Sequence, residues 1–175
     1  VNETSIGLWG ENKLTWNDWL RSTIGLRGDL FFASVASDRS ANSGQVTAFM
    51  PSPKAGLVFG PFAGTEYFLN GGFGFHSNDA RGATITVDPA TGTNAQQATP
   101  LLVRSRGAEI GVRSKAVKGL ETALALFVLD FDSELIFQGD SGTSIAGRPS
   151  RRLGVEWTNH YRPLSWLLFD VDFAY

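Results

Sequence analysis

The sequence contains no cysteine. That excludes disulfides, thiolate metal sites and a cysteine nucleophile, and it suits a chain exported through an oxidising compartment, where a stray thiol is a liability. Charge is scarce and nearly balanced: charged residues are 18% of the chain and the formal net charge is −2. No basic stripe is present, so a nucleic-acid partner is not expected. No apolar run approaches the roughly 18–20 residues of a membrane-spanning helix. The first residues, Val1-Asn2-Glu3-Thr4, are polar and lack a basic-then-apolar leader. For an exported protein the expectation is that a leader was removed or that the chain is a piece of a longer one.

What is present is glycine, aromatic residues and alternation of period two. A chain of 175 residues is long enough for one domain. In 20–32, Leu20, Ser22, Ile24, Leu26, Gly28, Leu30 and Phe32 share one parity, and Arg21, Thr23, Gly25, Arg27 and Asp29 the other. This is the repeat of a strand and not of a helix. Tyr67, Leu69, Phe73 and Phe75 oppose Glu66, Asn70, Gly72, Gly74 and His76. Leu153, Val155, Trp157 and Tyr161 oppose Arg152, Gly154, Glu156 and Thr158. Phe169, Val171, Phe173 and Tyr175 oppose Asp170 and Asp172. In 123–137 the same reading places Phe127, Leu129, Phe131, Leu135 and Phe137 on an apolar face and Asp130, Asp132 and Glu134 on a polar one.

The pattern predicts eight strands, at about 4–12, 20–36, 47–59, 65–76, 101–114, 120–137, 150–161 and 165–175. Most exceed the five or six residues usual in globular sheets and match the roughly nine to eleven that a tilted strand needs to cross a bilayer. Short links near 13–18, 60–64, 115–119 and 162–164 alternate with longer ones near 37–46, 77–100 and 138–149. The longer links are rich in Ser, Asn, Asp, Gly, Thr and Pro. Aromatic residues mark the short-turn end: Trp16, Trp19, Phe59, Phe62, Tyr67, Tyr161 and Trp166, with Lys115 and Lys118 at the third turn. Alternating link lengths and aromatic girdles describe an up-and-down membrane barrel.

The expected fold is therefore all-β, an antiparallel up-and-down transmembrane β-barrel. Its polar, lumen-facing side would carry Arg21, Arg27, Asp29, Lys54, Glu66, Glu109, Arg113, Asp130, Asp132, Glu134, Arg152, Glu156, Asp170 and Asp172. A soluble barrel of the lipocalin type explains alternation equally well but requires the apolar face inside. A small closed outer-membrane barrel is the other alternative. Against it, eight strands that begin with a short turn leave both ends on the long-loop side, whereas known outer-membrane barrels with short periplasmic turns normally keep both termini in the periplasm, so about eight strands of a larger barrel is the expectation, with 1–175 as one partial barrel domain. His76-Ser77-Asn78-Asp79 holds the residue types of a hydrolase triad, but triad members adjacent in sequence rarely converge, and a loop ordered by Asx and Ser hydrogen bonds is expected instead. Asp130, Asp132 and Glu134, spaced about 7 Å apart along one strand face, suit a cation on paper. A ladder paired with Arg or Lys of adjacent strands is expected. No cofactor and no metal site is expected.

The stretch Thr65-Glu66-Tyr67-Phe68-Leu69-Asn70-Gly71-Gly72-Phe73-Gly74-Phe75-His76-Ser77-Asn78-Asp79-Ala80-Arg81-Gly82 resembles a segment of TonB-dependent outer-membrane receptors. So do Trp16-Asn17-Asp18-Trp19-Leu20-Arg21 with Gly25-Leu26-Arg27-Gly28-Asp29, and Pro51-Ser52-Pro53-Lys54-Ala55-Gly56-Leu57. A further stretch is Asp130-Phe131-Asp132-Ser133-Glu134-Leu135-Ile136-Phe137-Gln138-Gly139-Asp140 with Arg151-Arg152-Leu153-Gly154-Val155-Glu156. They occur in the family's order and span most of the chain. The resemblance implies an integral protein of the Gram-negative outer membrane, surrounded by its lipid. It implies energised uptake of a scarce small-molecule ligand, a plug domain inside the barrel, and TonB as periplasmic partner. Neither plug nor TonB-binding box is visible in these residues. Ligand-contacting positions would lie at the loop base, at His76, Asn78, Asp79 and Arg81.

Overall fold

The computed structural model describes the chain except for residues 90, 95–97 and 139–142, and describes 135–138 and 143–146 as backbone only. Ten strands run in chain order: β1 (Asn2–Asn17), β2 (Leu20–Val35), β3 (Gly44–Phe62), β4 (Thr65–Ser77), β5 (Leu102–Ser114), β6 (Leu120–Phe131), β7 (Leu135–Gln138), β8 (Thr143–Ala146), β9 (Ser150–Leu164) and β10 (Leu167–Ala174). One short helix, α1 (Ala80–Thr84), and a 3₁₀ turn at Ser40–Asn42 lie in the longer links. Eight strands form one antiparallel sheet in the order β1-β2-β3-β4-β5-β6-β9-β10, and β7 pairs only with β8. The sheet is not closed, since β1 and β10 sit at its two edges.

The expected sixth strand, 120–137, is a correction. It stops at Phe131, the chain bends at Asp132, and β7 starts a separate hairpin. The hairpin is tied at its base by Gly147 N–H to Glu134 O and by Ser133 Oγ to Gly147 O, 3.2 Å. Gly139 and Asp140, part of the motif above, lie outside the described residues.

The short turns are set by local chemistry. Asn17 Oδ1 accepts from Trp19 N–H at 3.0 Å, an Asx turn between β1 and β2. Between Phe62 and Thr65, Ala63 (φ 50) and Gly64 (φ 78) both take positive φ, as a two-residue hairpin turn requires. Aromatic rings gather at this end: Trp19 stacks on Phe59 and Tyr161 on Phe169, each at 6.5 Å between centroids.

The register sorts side chains by face, because residues opposite one another in a ladder point the same way. Ile24, Ala55, Gly71, Ala108, Val128 and Leu153 lie on one line across β2 to β9; Leu69, Ile110, Leu126 and Val155 lie on another. This face is apolar and outward: Ile24 is 63% exposed, Leu126 55% and Leu153 72%. Leaving such side chains in water forfeits about 1.5–3 kcal/mol each, so the face calls for an apolar environment. The opposite face is concave. A single cavity is lined from six successive strands by Glu11, Thr23, Lys54, Asn70, Glu109 and Phe127. A soluble ligand barrel hides its apolar face inside; here that face is on the outside. Trp9, 71% exposed and opposite Arg27, is an apolar exception on the polar face.

The sheet splits at the long-loop end. β3 pairs with β2 along Gly44–Phe59 but with β4 only from Lys54 to Phe62. Pro51 and Pro53 share one parity, so both missing N–H groups fall on one side of β3. The ladder to β2 runs unbroken past them, so that side faces β4, and the β4 pairing stops where the prolines begin. Freed from β3, the top of β4–β5 crosses the concave face of β2–β3: Phe75 meets Phe31 edge-on at 5.7 Å, and an Arg104 guanidinium nitrogen approaches Met50 Sδ at 3.3 Å. Among the described residues a small core lies beneath the link that follows, with Ala33, Val35, Ala80 and Leu101 packed together.

Candidate ligand path and loop site

The concave face is a series of charge pairs. Lys54 reaches across β2 to Glu11 Oε2 at 2.5 Å, and Glu11 Oε1 also meets Lys13 at 3.0 Å. Gly25 makes this possible, because a Cβ there would stand 2.7 Å from Lys54 Cε. Glu66 takes Arg113 Nε at 2.6 Å and also the guanidinium of Arg21. Arg27 grips the buried Asp29 with two hydrogen bonds, 2.7 and 2.6 Å. Glu109 Oε1 accepts from Asn70 Nδ2 at 2.8 Å. Arg152 meets Glu134 Oε1 at 2.6 Å and covers the Phe131 ring at 5.1 Å. His160 Nδ1 and Asp170 Oδ1 are 2.5 Å apart near the short-turn end. Among the described residues, Glu109, Glu156 and Asp172 have no cation within ion-pair distance.

The register therefore brings Arg21, Arg27, Asp29, Lys54, Glu66, Glu109, Arg113, Arg152, Glu156, Asp170 and Asp172 to one face. Three expected members of this set fall outside that register, of which Glu134, after β6, still reaches the face through Arg152 Nη2 and Ser150 Oγ, each 2.6 Å from its Oε1. Asp130 pairs in register with Arg106 and Arg151, on the line of Leu124, Leu126 and Val128, so it points outward. Asp132 lies beyond the end of β6, where its N–H caps the ladder at Arg104 O, 3.0 Å. Phe127, Leu129 and Phe131 accordingly point inward, facing Glu109, Gly107 and Ser105. The cause is local: 124–129 is apolar on both parities, so only the neighbouring charges suggest a phase, and Asp130 suggests the wrong one. The side chains of Leu135 and Phe137 lie outside what is described.

The loop-base residues divide by role. His76 is the second-last residue of β4, with its ring 5.9 Å from Phe131. Asn78 is 4% exposed; its N–H donates to Leu101 O and its Nδ2 to Pro100 O at 2.7 Å. Asp79 caps α1, accepting from Arg81 N–H at 2.9 Å, and binds the Arg81 guanidinium at 2.5 Å. That guanidinium holds the Asp79 carboxyl below the usual carboxylate range. Arg81 remains mostly exposed. Among the described residues no hydrogen bond joins His76, Ser77 and Asp79, so the triad geometry of a hydrolase is absent. One structural residue carries no sequence signal: Asn42. Its buried amide accepts from Thr86 N–H at 3.0 Å and Val87 N–H at 2.8 Å and donates to Val87 O at 2.8 Å, clamping one long link onto another.

A family model described as TonB dependent receptor-like, beta-barrel, matches residues 1–175. No curated protein sequence matches the chain. Among solved structures, the siderophore receptor PiuA from Acinetobacter baumannii superposes with a TM-score of 0.75 at 16% identity, over 99% of this chain and 25% of that one. The copper transporter OprC gives 0.76 at 16% identity, over 99% and 28%. The alcaligin outer membrane receptor FauA from Bordetella pertussis gives 0.71 at 14% identity, over 99% and 30%. At such identity these likenesses speak for the fold alone, and the chain spans between a quarter and a third of each receptor. The open, up-and-down sheet, its outward apolar face and the family match over every residue agree: the chain belongs to the TonB-dependent receptor family, and these residues are β-barrel.

Proposed function

We propose that this segment forms part of the wall of an outer-membrane receptor that takes up a scarce small ligand, driven by TonB through a plug domain held against the concave face. The observation that carries the reading is that face: a wide polar wall of paired charges behind an apolar exterior. Paired charges keep a broad lumen wet without creating one strong site. Glu109, Glu156 and Asp172, which make no ion pair among the described residues of this sheet, are where a basic plug surface is expected to rest. PiuA is a siderophore receptor, FauA an alcaligin receptor and OprC a copper transporter. The ligand class here is accordingly a ferric siderophore or other metal complex, with cobalamin and oligosaccharides as the remaining choices.

At the loop base, His76, Asn78, Asp79 and Arg81 act in two ways. Asn78 and Asp79 fix the loop, while Arg81 presents a cation and His76 an imidazole towards the loop-side mouth. The test is uptake by the intact receptor in cells, with and without TonB. Ligand-dependent growth that requires TonB and falls in Arg81→Ala, with the barrel still assembled, supports the reading. Growth independent of both TonB and Arg81 overturns it.

A further inference from the structure

Two arginines point out of the barrel wall where the lipid-facing band ends. Arg106 on β5, Asp130 on β6 and Arg151 on β9 sit side by side in register on the outward face. The outward residues of β6 below Asp130 are Leu120, Thr122, Leu124, Leu126 and Val128, beside Tyr161, Asn159, Trp157, Val155 and Leu153 of β9. From Leu120 to Asp130 is about 33 Å of strand, which a tilt of about 40° reduces to roughly 25 Å of height, the thickness of the apolar band of such barrels. The three charged residues therefore take the first outward positions above the lipid tails, on the long-loop side.

Their arrangement presents cations outward. Asp130 Oδ1 accepts from Arg151 Nε at 2.6 Å. Its Oδ2 accepts from Arg151 Nη2 at 2.9 Å and Arg106 Nε at 3.2 Å. The carboxylate is only 15% exposed, whereas the guanidinium side chains are 59% and 64% exposed. Among the described residues, both terminal nitrogens of Arg106 and one of Arg151 donate to nothing. The acid thus orients two forks from between them and leaves a net positive charge with free donors at headgroup height. Exposed ion pairs contribute at most about 1 kcal/mol to stability, so pairing alone accounts poorly for three charges beside a lipid-facing band. Guanidinium forks match phosphate oxygens in geometry and charge.

We propose that Arg106 and Arg151, splayed by Asp130, bind a phosphate of an anionic lipid in the long-loop-side leaflet. The proposal rests on the membrane-barrel reading but not on any ligand or on TonB. The test uses the intact receptor purified in neutral detergent, with native mass spectrometry during titration of diphosphorylated lipid A, phosphatidylethanolamine and inorganic phosphate. The wild type should bind lipid A about tenfold tighter than Arg106→Gln/Arg151→Gln does, with no such difference for phosphatidylethanolamine. Arg106→Lys/Arg151→Lys, which keeps both charges but loses the forks, should bind more weakly than wild type and more tightly than the glutamine variant, which guards against a variant that merely fails to assemble. Asp130→Asn, which keeps the positive charge but loosens the forks, should not abolish binding. Equal lipid A binding by the wild type and an assembled glutamine variant overturns the proposal, as does a site saturated by inorganic phosphate that leaves lipid A binding unchanged. Loss of ligand uptake with lipid binding intact would instead count against the transport reading alone.

Discussion

Leu126 and Ala125 are neighbours at one height on β6 and point to opposite faces. Leu126 stands between Ile110 and Val155 on the outward line; Ala125 stands between Gly111 and Glu156 on the concave one. A guanidinium at position 126 would stand among apolar side chains and, in the proposed membrane barrel, lipid tails, near the middle of the outward run from Leu120 to Val128. The cost of Arg at the bilayer midplane is about 2–4 kcal/mol, a shift of roughly 30- to 1,000-fold in the folding equilibrium at about 1.4 kcal/mol per tenfold. A guanidinium at position 125 enters a wet lumen beside Glu156, and its cost should stay within about 0.5 kcal/mol. The assay is reversible urea unfolding of the intact receptor in lipid vesicles, followed by the heat-dependent gel shift of folded barrels. Leu126→Arg should lower the folded fraction steeply and Ala125→Arg should leave it near wild type. Equal losses, or a larger loss for Ala125→Arg, would refute the assignment of faces.

Gly111→Ala should destabilise by about 1–3 kcal/mol, since its Cβ would meet the Phe68 ring at 2.3 Å and Leu124 O at 2.5 Å; Gly10→Ala, with nothing within 4 Å, should be neutral in the same unfolding measurement. Asn42→Ala orphans the N–H groups of Thr86 and Val87, each costing about 1–3 kcal/mol where it stays buried. Limited proteolysis should then cut the link after α1 faster while the barrel stays folded. The Asp79 carboxyl is held low by Arg81, so its contribution to loop order is present above the ordinary carboxylate pKa and disappears as pH falls through the depressed value. Hydrogen exchange over Ala80–Thr84 should therefore differ between wild type and Asp79→Asn near neutral pH and converge in strong acid.

Where one parity is apolar and the other polar, alternation alone identifies the faces. Arg21, Arg27 and Asp29 against Ile24 and Leu26 in β2, and Asp170 and Asp172 against Val171 and Phe173 in β10, point as their alternation says. In β6 the six residues from Leu124 to Leu129 are apolar on both parities. Its phase is fixed by pairing with Ile110 and Val155, which no single strand reveals. Asp130 misleads for a related reason: a carboxylate can face outward when two neighbouring strands each deliver an arginine. The split between β3 and β4 has its cause in Pro51 and Pro53, whose shared parity removes donors from one edge. The Asn42 clamp leaves no trace in the sequence, because it joins links more than 40 residues apart by backbone groups that any residue supplies.

The absence of cysteine from this segment permits a direct test of its central claim, that residues of alternate parity face lipid and lumen. Single cysteines placed in turn from Ala123 to Val128 in a receptor otherwise free of reactive thiols, labelled with a fluorophore and reconstituted with lipids carrying a quencher at mid-chain, report contact with lipid tails. Positions 124, 126 and 128 should be strongly quenched and 123, 125 and 127 weakly. Quenching with the opposite phase, or without a period of two, would contradict the account.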